Sequence, residues 1–472
     1  MAATKLWVDY ADLGLFTDLY ELTMLQAYVE RGMDETATFS LFVRRLPERR
    51  NYLLACGLDD VLRYFESLRF TCEGLDYLAS LGGFTDRFLR WLEGFRFTGD
   101  VDAVPEGTPV FENEPILEVT APIAQAQLAE TFVMNQVHLQ TVLASKAARV
   151  VTAAAGRSVV DFGPRRMHGI DAAIKAARAF HIAGVAATSN TLAGQIYGVP
   201  VAGTMAHSFV QAATNEMEAF RAFAALYPDT ILLVDTYDTL QGVRHVIALA
   251  RELGDAFKVR GVRLDSGDLV DLASKVRAML DEAGLRRVEI FASGSLDEDA
   301  IAELVAQGAP ITGFGVGTSM GVSQDAPGLD IAYKLCAYGG RGRVKLSTGK
   351  PVLPGRKQVF RVEANGRAVR DVIARAVETL PGRPLLRPVM RGGRRLPEGT
   401  IDLQAARSHA QEEIARLPEH IRAIRPAARR YPVEISATLR AYQDEVAREV
   451  ELANRDAAPT PARAARRVDP HQ

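Results

Sequence analysis

The chain has 472 residues, 48% hydrophobic and 24% charged, the composition of a soluble globular protein long enough for two or three domains. Its 56 Lys and Arg against 58 Asp and Glu leave a formal net charge of −2, which excludes a bulk field for nucleic acid or anionic membrane and makes any polyanion site local. Three dispersed cysteines (Cys56, Cys72, Cys336) without a CxxC pair exclude a disulfide framework and a cysteine-rich zinc site, and fit a reducing, cytoplasmic setting.

The opening MAATKLWVDYADLG is interrupted by Asp9 and Asp12 before an apolar core develops, and no continuously apolar run nears the ~20 residues that span a bilayer, so neither a secretory signal nor a membrane partner is expected. Residues 1–130 read as a small α+β domain. Asp18 to Arg31 carries apolar residues at near-helical spacing, Thr36 to Arg44 alternates like a half-buried strand, and Pro105 to Ala121 reads as short strands cut by turn residues.

Residues 131–340 read as the principal domain. From about residue 155, β-branched runs alternate with amphipathic helices, the pattern of βα units around a parallel sheet. Seven strands are expected: Ser158 to Phe162, Val185 to Thr188, Val199 to Gly203, Thr230 to Asp235, Gly261 to Asp265, Val288 to Ala292 and Pro310 to Gly315. Helices are expected over Ile170 to Ile182, Gln211 to Leu226, Leu240 to Leu253, Leu269 to Ala283 and Asp297 to Gln307. The fold class is an α/β protein: an irregular parallel α/β barrel with an additional α+β domain built from the N-terminal and C-terminal regions. Residues 341–455 are expected to pack on the N-terminal domain, because their strand-like stretches, Arg343 to Ser347 and Lys357 to Glu363, are too few for a sheet of their own. Residues 456–472, almost without large apolar side chains, are expected to be a disordered tail.

The strands end in groups suited to charged ligands, and in a parallel barrel the loops after the strands converge on the active-site face. These ends include DFGPRR (161–166), TSN (188–190), GT then His207, DTYD (235–238), RLDSGD (263–268), SGS (293–295) and GVGT (315–318). Ordinary capped turns are the bland alternative for any one of them. Glycines at 294, 313, 315, 317 and 321 let backbone N–H groups approach an anion, so the last two ends read as a phosphate cradle. Arg165 and Arg166 follow a Gly-Pro turn that would aim a guanidinium at a carboxylate or phosphate, with solvation the alternative for one of them. Capping accounts for Asp268 and in part for Asp238 but not for Asp235 or Asp265, which suit a hard cation such as Mg²⁺ or sugar hydroxyls. Among eight histidines only His207 combines a strand-end position with small neighbours. HExxH is absent, and the GxSxG match GTSMG (317–321) lies within the glycine-rich stretch read as a phosphate cradle. An aldolase-type reading wants a strand-end lysine, whereas Lys146 and Lys175 fall within helices. A degenerate, non-catalytic barrel that senses a phosphorylated ligand is a further alternative, against which His207, Arg263 and Asp265 count.

The stretches TDLYELTM (17–24), DFGPRRMHG (161–169), ATSNTLAG (187–194), GTMAHSFV (203–210), LLVDTYDT (232–239), VRLDSGDL (262–269), GFGVGTSMG (313–321) and LPGRKQVFR (353–361) run in order across most of the chain. Together they resemble the nicotinate phosphoribosyltransferases, type II phosphoribosyltransferases of NAD salvage. The resemblance implies that nicotinate and 5-phosphoribosyl 1-diphosphate give nicotinate mononucleotide and diphosphate, with ATP as co-substrate and Mg²⁺ as cofactor. It implies that His207 is transiently phosphorylated and that Tyr20 and Phe162 sandwich the pyridine ring. Thr204, Arg263 and Thr318 then contact substrate, Asp235 and Asp265 lie near ribose and Mg²⁺–diphosphate, and Gly294, Gly315 and Gly317 lie against the 5-phosphate. Ser189 and Asn190 stand where relatives using nicotinamide carry an Asp, leaving no anion to repel a carboxylate, which Arg165, Arg166 or Arg263 could pair. It also implies a homodimer with shared active sites, Tyr20 coming from the neighbouring subunit.

Overall fold

The structure, a computed structural model, describes residues 8–347 and 352–456; the tail expected to be disordered lies from residue 457 onward outside them. Six of the seven expected strands form one parallel sheet, in the order Ala187–Thr188, Ser158–Asp161, Gly313–Val316, Glu289–Ala292, Gly261–Leu264, Ile231–Leu233. The seventh, Val199 to Gly203, is reduced to a single parallel bridge between Val201 and Thr188. The sheet curls, because Arg263 on one side bonds across the interior to Thr204, which follows Val201 on the other. Helices cover its outside, and their inward faces meet the strands in one apolar core that includes Phe180, Phe220, Val246, Val276 and Phe314. The expected Gln211 to Leu226 helix is instead two, His207–Ala212 and Glu216–Leu226, because the Asn215 side chain accepts from Glu218 N and starts a new helix.

The additional domain is built on a seven-stranded sheet ordered Arg341–Gly342, Ile331–Tyr338, Thr36–Val43, Pro115–Pro122, Asp100–Ala103, Arg387–Arg391, Arg394–Arg395. N-terminal and C-terminal regions thus share hydrogen-bonded strands, as Arg387–Arg391 pairs with Asp100–Ala103. Ile331–Tyr338, grouped with the barrel in the sequence reading, pairs here with Thr36–Val43. Thr36–Val43 is buried on both faces rather than alternating, since it is a central strand beneath helices. The C-terminal region also forms a four-stranded sheet, Arg383–Pro384, Lys357–Ala364, Arg367–Arg375, Val433–Ile435, where too few strands were expected. Residues 343–347 are not a strand.

One 24-residue helix, Glu130–Ala153, joins the two cores. Its first half places Phe132, Val133 and Val137 in the additional domain, and its second half places Leu143, Ala147 and Val150 against the barrel. No helix among the described residues is long and apolar enough to cross a membrane.

Candidate active site

Asp161, the last residue of its strand, is fully buried; it accepts the Thr188 hydroxyl at 2.7 Å and Gly163 N at 2.8 Å. Burial pushes its carboxyl up to about 6 against those hydrogen bonds. This anchors the following turn and presents Phe162, whose ring packs against Phe291 at 6.0 Å and lies 5.7 Å from the Arg263 guanidinium carbon. Gly315, expected against a phosphate, sits beneath that ring inside a buried strand. A Cβ there would come within 2.4 Å of Phe162, so the glycine makes room for the aromatic side chain.

Arg263 points into the barrel and donates to Thr204 Oγ1 at 2.8 Å and to the Met205 carbonyl at 3.0 Å; its Nε is buried without a hydrogen-bond partner. Burial lowers its pKa, opposed by Asp265 and Asp235. Asp235 accepts Asp265 N at 2.9 Å and Ser266 Oγ at 2.7 Å with one oxygen, while its other oxygen is buried and unpartnered. Asp265 accepts the Ser293 hydroxyl and turns its second oxygen to His207 Nε2 at 3.9 Å; the His207 Nδ1 lies 3.2 Å from the Thr236 hydroxyl. The imidazole and this carboxylate are both about 40% exposed, hence open to a ligand. Phe162, Thr204, His207, Asp235, Arg263 and Asp265 therefore stand on one rim. Asp238 and Asp268 cap helices, accepting from Gln241 N and from Val270 N and Asp271 N respectively.

Gly294 has φ +88°, and a Cβ would fall 1.9 Å from the Asp265 carbonyl, so this turn admits only glycine. Gly317 is open, its nearest neighbour to a Cβ being 3.5 Å away. Arg166 reaches the Thr318 hydroxyl at 3.3 Å, and Arg165 reaches the Phe162 carbonyl at 3.4 Å, both from exposed positions. Asn190 does not offer its amide freely. Its oxygen caps the Thr191–Tyr197 helix through Ala193 N, and its nitrogen reaches the Ala173 carbonyl at 3.3 Å. Ser189 is beside it, half-buried.

Tyr20 does not reach this rim within the chain. It lies in the field of Glu130 at the start of the joining helix, whereas Lys146 of that helix meets Glu298 just beyond the strand-end turn 293–297. Sixteen residues of helix separate those levels by about 24 Å at 1.5 Å per residue. Thr236, Ser266 and Ser293, which hold the site residues in place, belong to the strand-end groups read from sequence but had no role of their own there, and Phe291 was not singled out. Their signal was position alone, at or next to a strand end.

Residues 15–138 match the family model for the nicotinate phosphoribosyltransferase N-terminal domain, and residues 157–361 match that of the nicotinate phosphoribosyltransferase family. The chain belongs to the nicotinate phosphoribosyltransferase family. It is 58% identical over 422 residues to the Mycobacterium tuberculosis nicotinate phosphoribosyltransferase pncB2, covering 89% of this chain and 91% of that one. The Bacillus subtilis nicotinate phosphoribosyltransferase is 43% identical over 372 residues, covering 77% and 76%. The crystal structure of human nicotinic acid phosphoribosyltransferase superposes with a TM-score of 0.81 at 30% identity, covering 91% of this chain and 99% of that chain. In this nicotinate phosphoribosyltransferase family member, the matched regions contain every rim residue described above.

Proposed function

We propose that the protein joins nicotinate to 5-phosphoribosyl 1-diphosphate, giving nicotinate mononucleotide and diphosphate in NAD salvage, with ATP hydrolysis coupled through a transient phosphohistidine at His207. The observation that carries this reading is the convergence of an aromatic face, a buried guanidinium, an exposed imidazole and two carboxylates on one rim.

The pyridine ring lies on Phe162, with Arg263 and the arginines at 165 and 166 supplying positive charge for its carboxylate. The pyridine nitrogen attacks C1 of the sugar; the C1–oxygen bond breaks and its electron pair leaves with the diphosphate. Positive charge builds on the ribose as that bond lengthens, and Asp235 and Asp265 lie where carboxylates would stabilise it. The nitrogen is already nucleophilic, so alignment and exclusion of water are what the residues contribute. The unpartnered oxygen of Asp235 and the exposed Asp265 carboxylate, whose second oxygen faces His207, would make a hard, two-carboxylate donor set of the kind that binds Mg²⁺ together with phosphate oxygens. When bound, Mg²⁺ would offset charge on the departing diphosphate. Gly294 and Gly317, with Thr318, would receive the 5-phosphate on backbone N–H groups.

Tyr20 would complete the site from a second copy of the chain. Supporting this, Leu19 and Tyr20 are 59% and 50% exposed, and Ile170, Leu192, Phe209 and Tyr237 are also exposed, each in or just before the first turn of a helix that follows a barrel strand end.

Incubation with γ-labelled ATP tests the coupling. The wild-type protein acquires an acid-labile label and its turnover rises with ATP, while His207→Ala does neither. Equal labelling of His207→Ala would overturn the phosphohistidine assignment.

A further inference from the structure

Two non-glycine residues with left-handed backbone lie in the segments that carry the proposed phosphate cradle: Ser295 at φ +50°, next to Gly294, and Ser323 at φ +44°, after the short helix that Gly317 begins. Such a conformation is strained for a residue with a side chain and persists only where surrounding structure fixes it. A buried ionic cluster adjoins both. Arg50 grips Asp325 with two nitrogens at 2.6 and 3.1 Å and reaches the Ser323 hydroxyl at 3.2 Å, and that hydroxyl donates to the Ala326 carbonyl at 2.8 Å. Arg149 Nε donates to Glu298 at 2.9 Å, and Glu298 opens the helix that follows the 293–297 turn. Lys146 bridges the halves, donating to Glu298 and to Asp325 at 2.8 Å.

Arg50, Lys146, Arg149 and Glu298 are all at least nine-tenths buried. Burial alone would raise the Glu298 and Asp325 pKa values, but Lys146 holds both below the ordinary range, together with Arg149 at Glu298 and Arg50 at Asp325. Three cations face two carboxylates. The excess is one positive charge behind both turns, the sign an incoming phosphate requires. Replacing such a cluster by apolar residues would often cost little stability, so what these five charges add is a fixed geometry between the segments they join.

We propose that Lys146 is a positioning residue for the sugar-phosphate site, clamping the Gly294 turn and the Gly317 turn in one register through Glu298 and Asp325. The inference rests on the reading of those turns as the 5-phosphate cradle. It also ties the cradle to the additional domain, since Arg50 lies in the N-terminal region and Lys146 on the joining helix.

Steady-state kinetics of Lys146→Met and of the near-isosteric Asp325→Asn test it, with Gly317→Val as a probe of the cradle itself. For each folded variant, KM for 5-phosphoribosyl 1-diphosphate rises about tenfold or more while KM for nicotinate stays within about twofold. A purely structural role would lower the melting temperature and leave the ratio of the two KM values unchanged. If Lys146→Met does not fold, Asp325→Asn carries the test. If Gly317→Val shifts the phosphoribosyl KM and the cluster variants do not, positioning by Lys146 is wrong and the cradle stands. If Gly317→Val also leaves it unchanged, the cradle reading falls and this inference with it.

Discussion

Arg263 lies with its guanidinium carbon 5.7 Å from the Phe162 ring centroid while its terminal nitrogens hold the Thr204 hydroxyl and the Met205 carbonyl. One side chain thereby orients the aromatic platform and ties together two sides of the barrel that the hydrogen-bonded sheet leaves unjoined. Lysine has no planar fork to make both bonds and stack as well. Arg263→Lys should retain its circular dichroism spectrum and lose about tenfold or more in kcat/KM for nicotinate, equivalent to ~1.4 kcal/mol. An unchanged kcat/KM would contradict this arrangement.

Gly315→Ala places a methyl group 2.4 Å from the Phe162 ring. Overpacking of this kind costs ~1–3 kcal/mol and moves the softer neighbour, here the ring. The expected result is a raised KM for nicotinate with a smaller change for the phosphoribosyl substrate. The double variant Gly315→Ala/Phe162→Leu should recover melting temperature without recovering nicotinate affinity. Were Gly315 against the phosphate instead, the substrate order of the effect would reverse.

These two cases mark what the sequence made legible. A β-branched run closing on polar residues identifies a barrel strand and its functional end, so six strands and the rim formed by Phe162, His207, Asp235, Arg263 and Asp265 could be located. Glycine beside a ring and glycine beside a phosphate look alike in sequence, so the packing of Gly315 against Phe162 could not be read from it. Asn190 is ambiguous in the same way, because a helix cap and a ligand contact use the same amide. Val199 to Gly203 has strand composition, yet beyond Val201 the chain turns inward to meet Arg263 and only one bridge forms. The Arg50, Lys146, Glu298 and Asp325 cluster joins residues up to 275 positions apart and leaves no local pattern.

Glu21 adjoins Tyr20 and is fully buried, with the Tyr20 hydroxyl and the Gln127 amide beside its carboxyl but not in well-formed hydrogen bonds. Burial, reinforced by Glu130 and Asp18, pushes its carboxyl up to about 8. The unfolded chain releases this proton near the ordinary carboxylate value, so the contribution to stability is fully present below that value and is lost as pH rises through about 8. Denaturation of wild type and Glu21→Gln between pH 5 and 9 should diverge in favour of Gln by on the order of a few kcal/mol and level off above about pH 8. A constant difference would contradict a buried neutral Glu21.

Tyr20→Ala and His207→Ala each remove a group that, in the proposed shared site, belongs to a different copy of the chain. Mixing the two inactive proteins under conditions of subunit exchange should restore about a quarter of wild-type activity, because a random hybrid is half the population and carries one intact site of two. Exchange confirmed by mass with no recovered turnover would rule out shared sites.

The central claim is that one rim accepts a pyridine carboxylate and an activated sugar together. Its most direct test is mononucleotide formation by the purified protein with 5-phosphoribosyl 1-diphosphate, ATP and Mg²⁺, nicotinate and nicotinamide being supplied in parallel. The account predicts product from nicotinate only when both substrates are present, and turnover of nicotinamide lower by at least about a hundredfold, or ~2.7 kcal/mol. Comparable product from nicotinamide, or none from nicotinate, would contradict it.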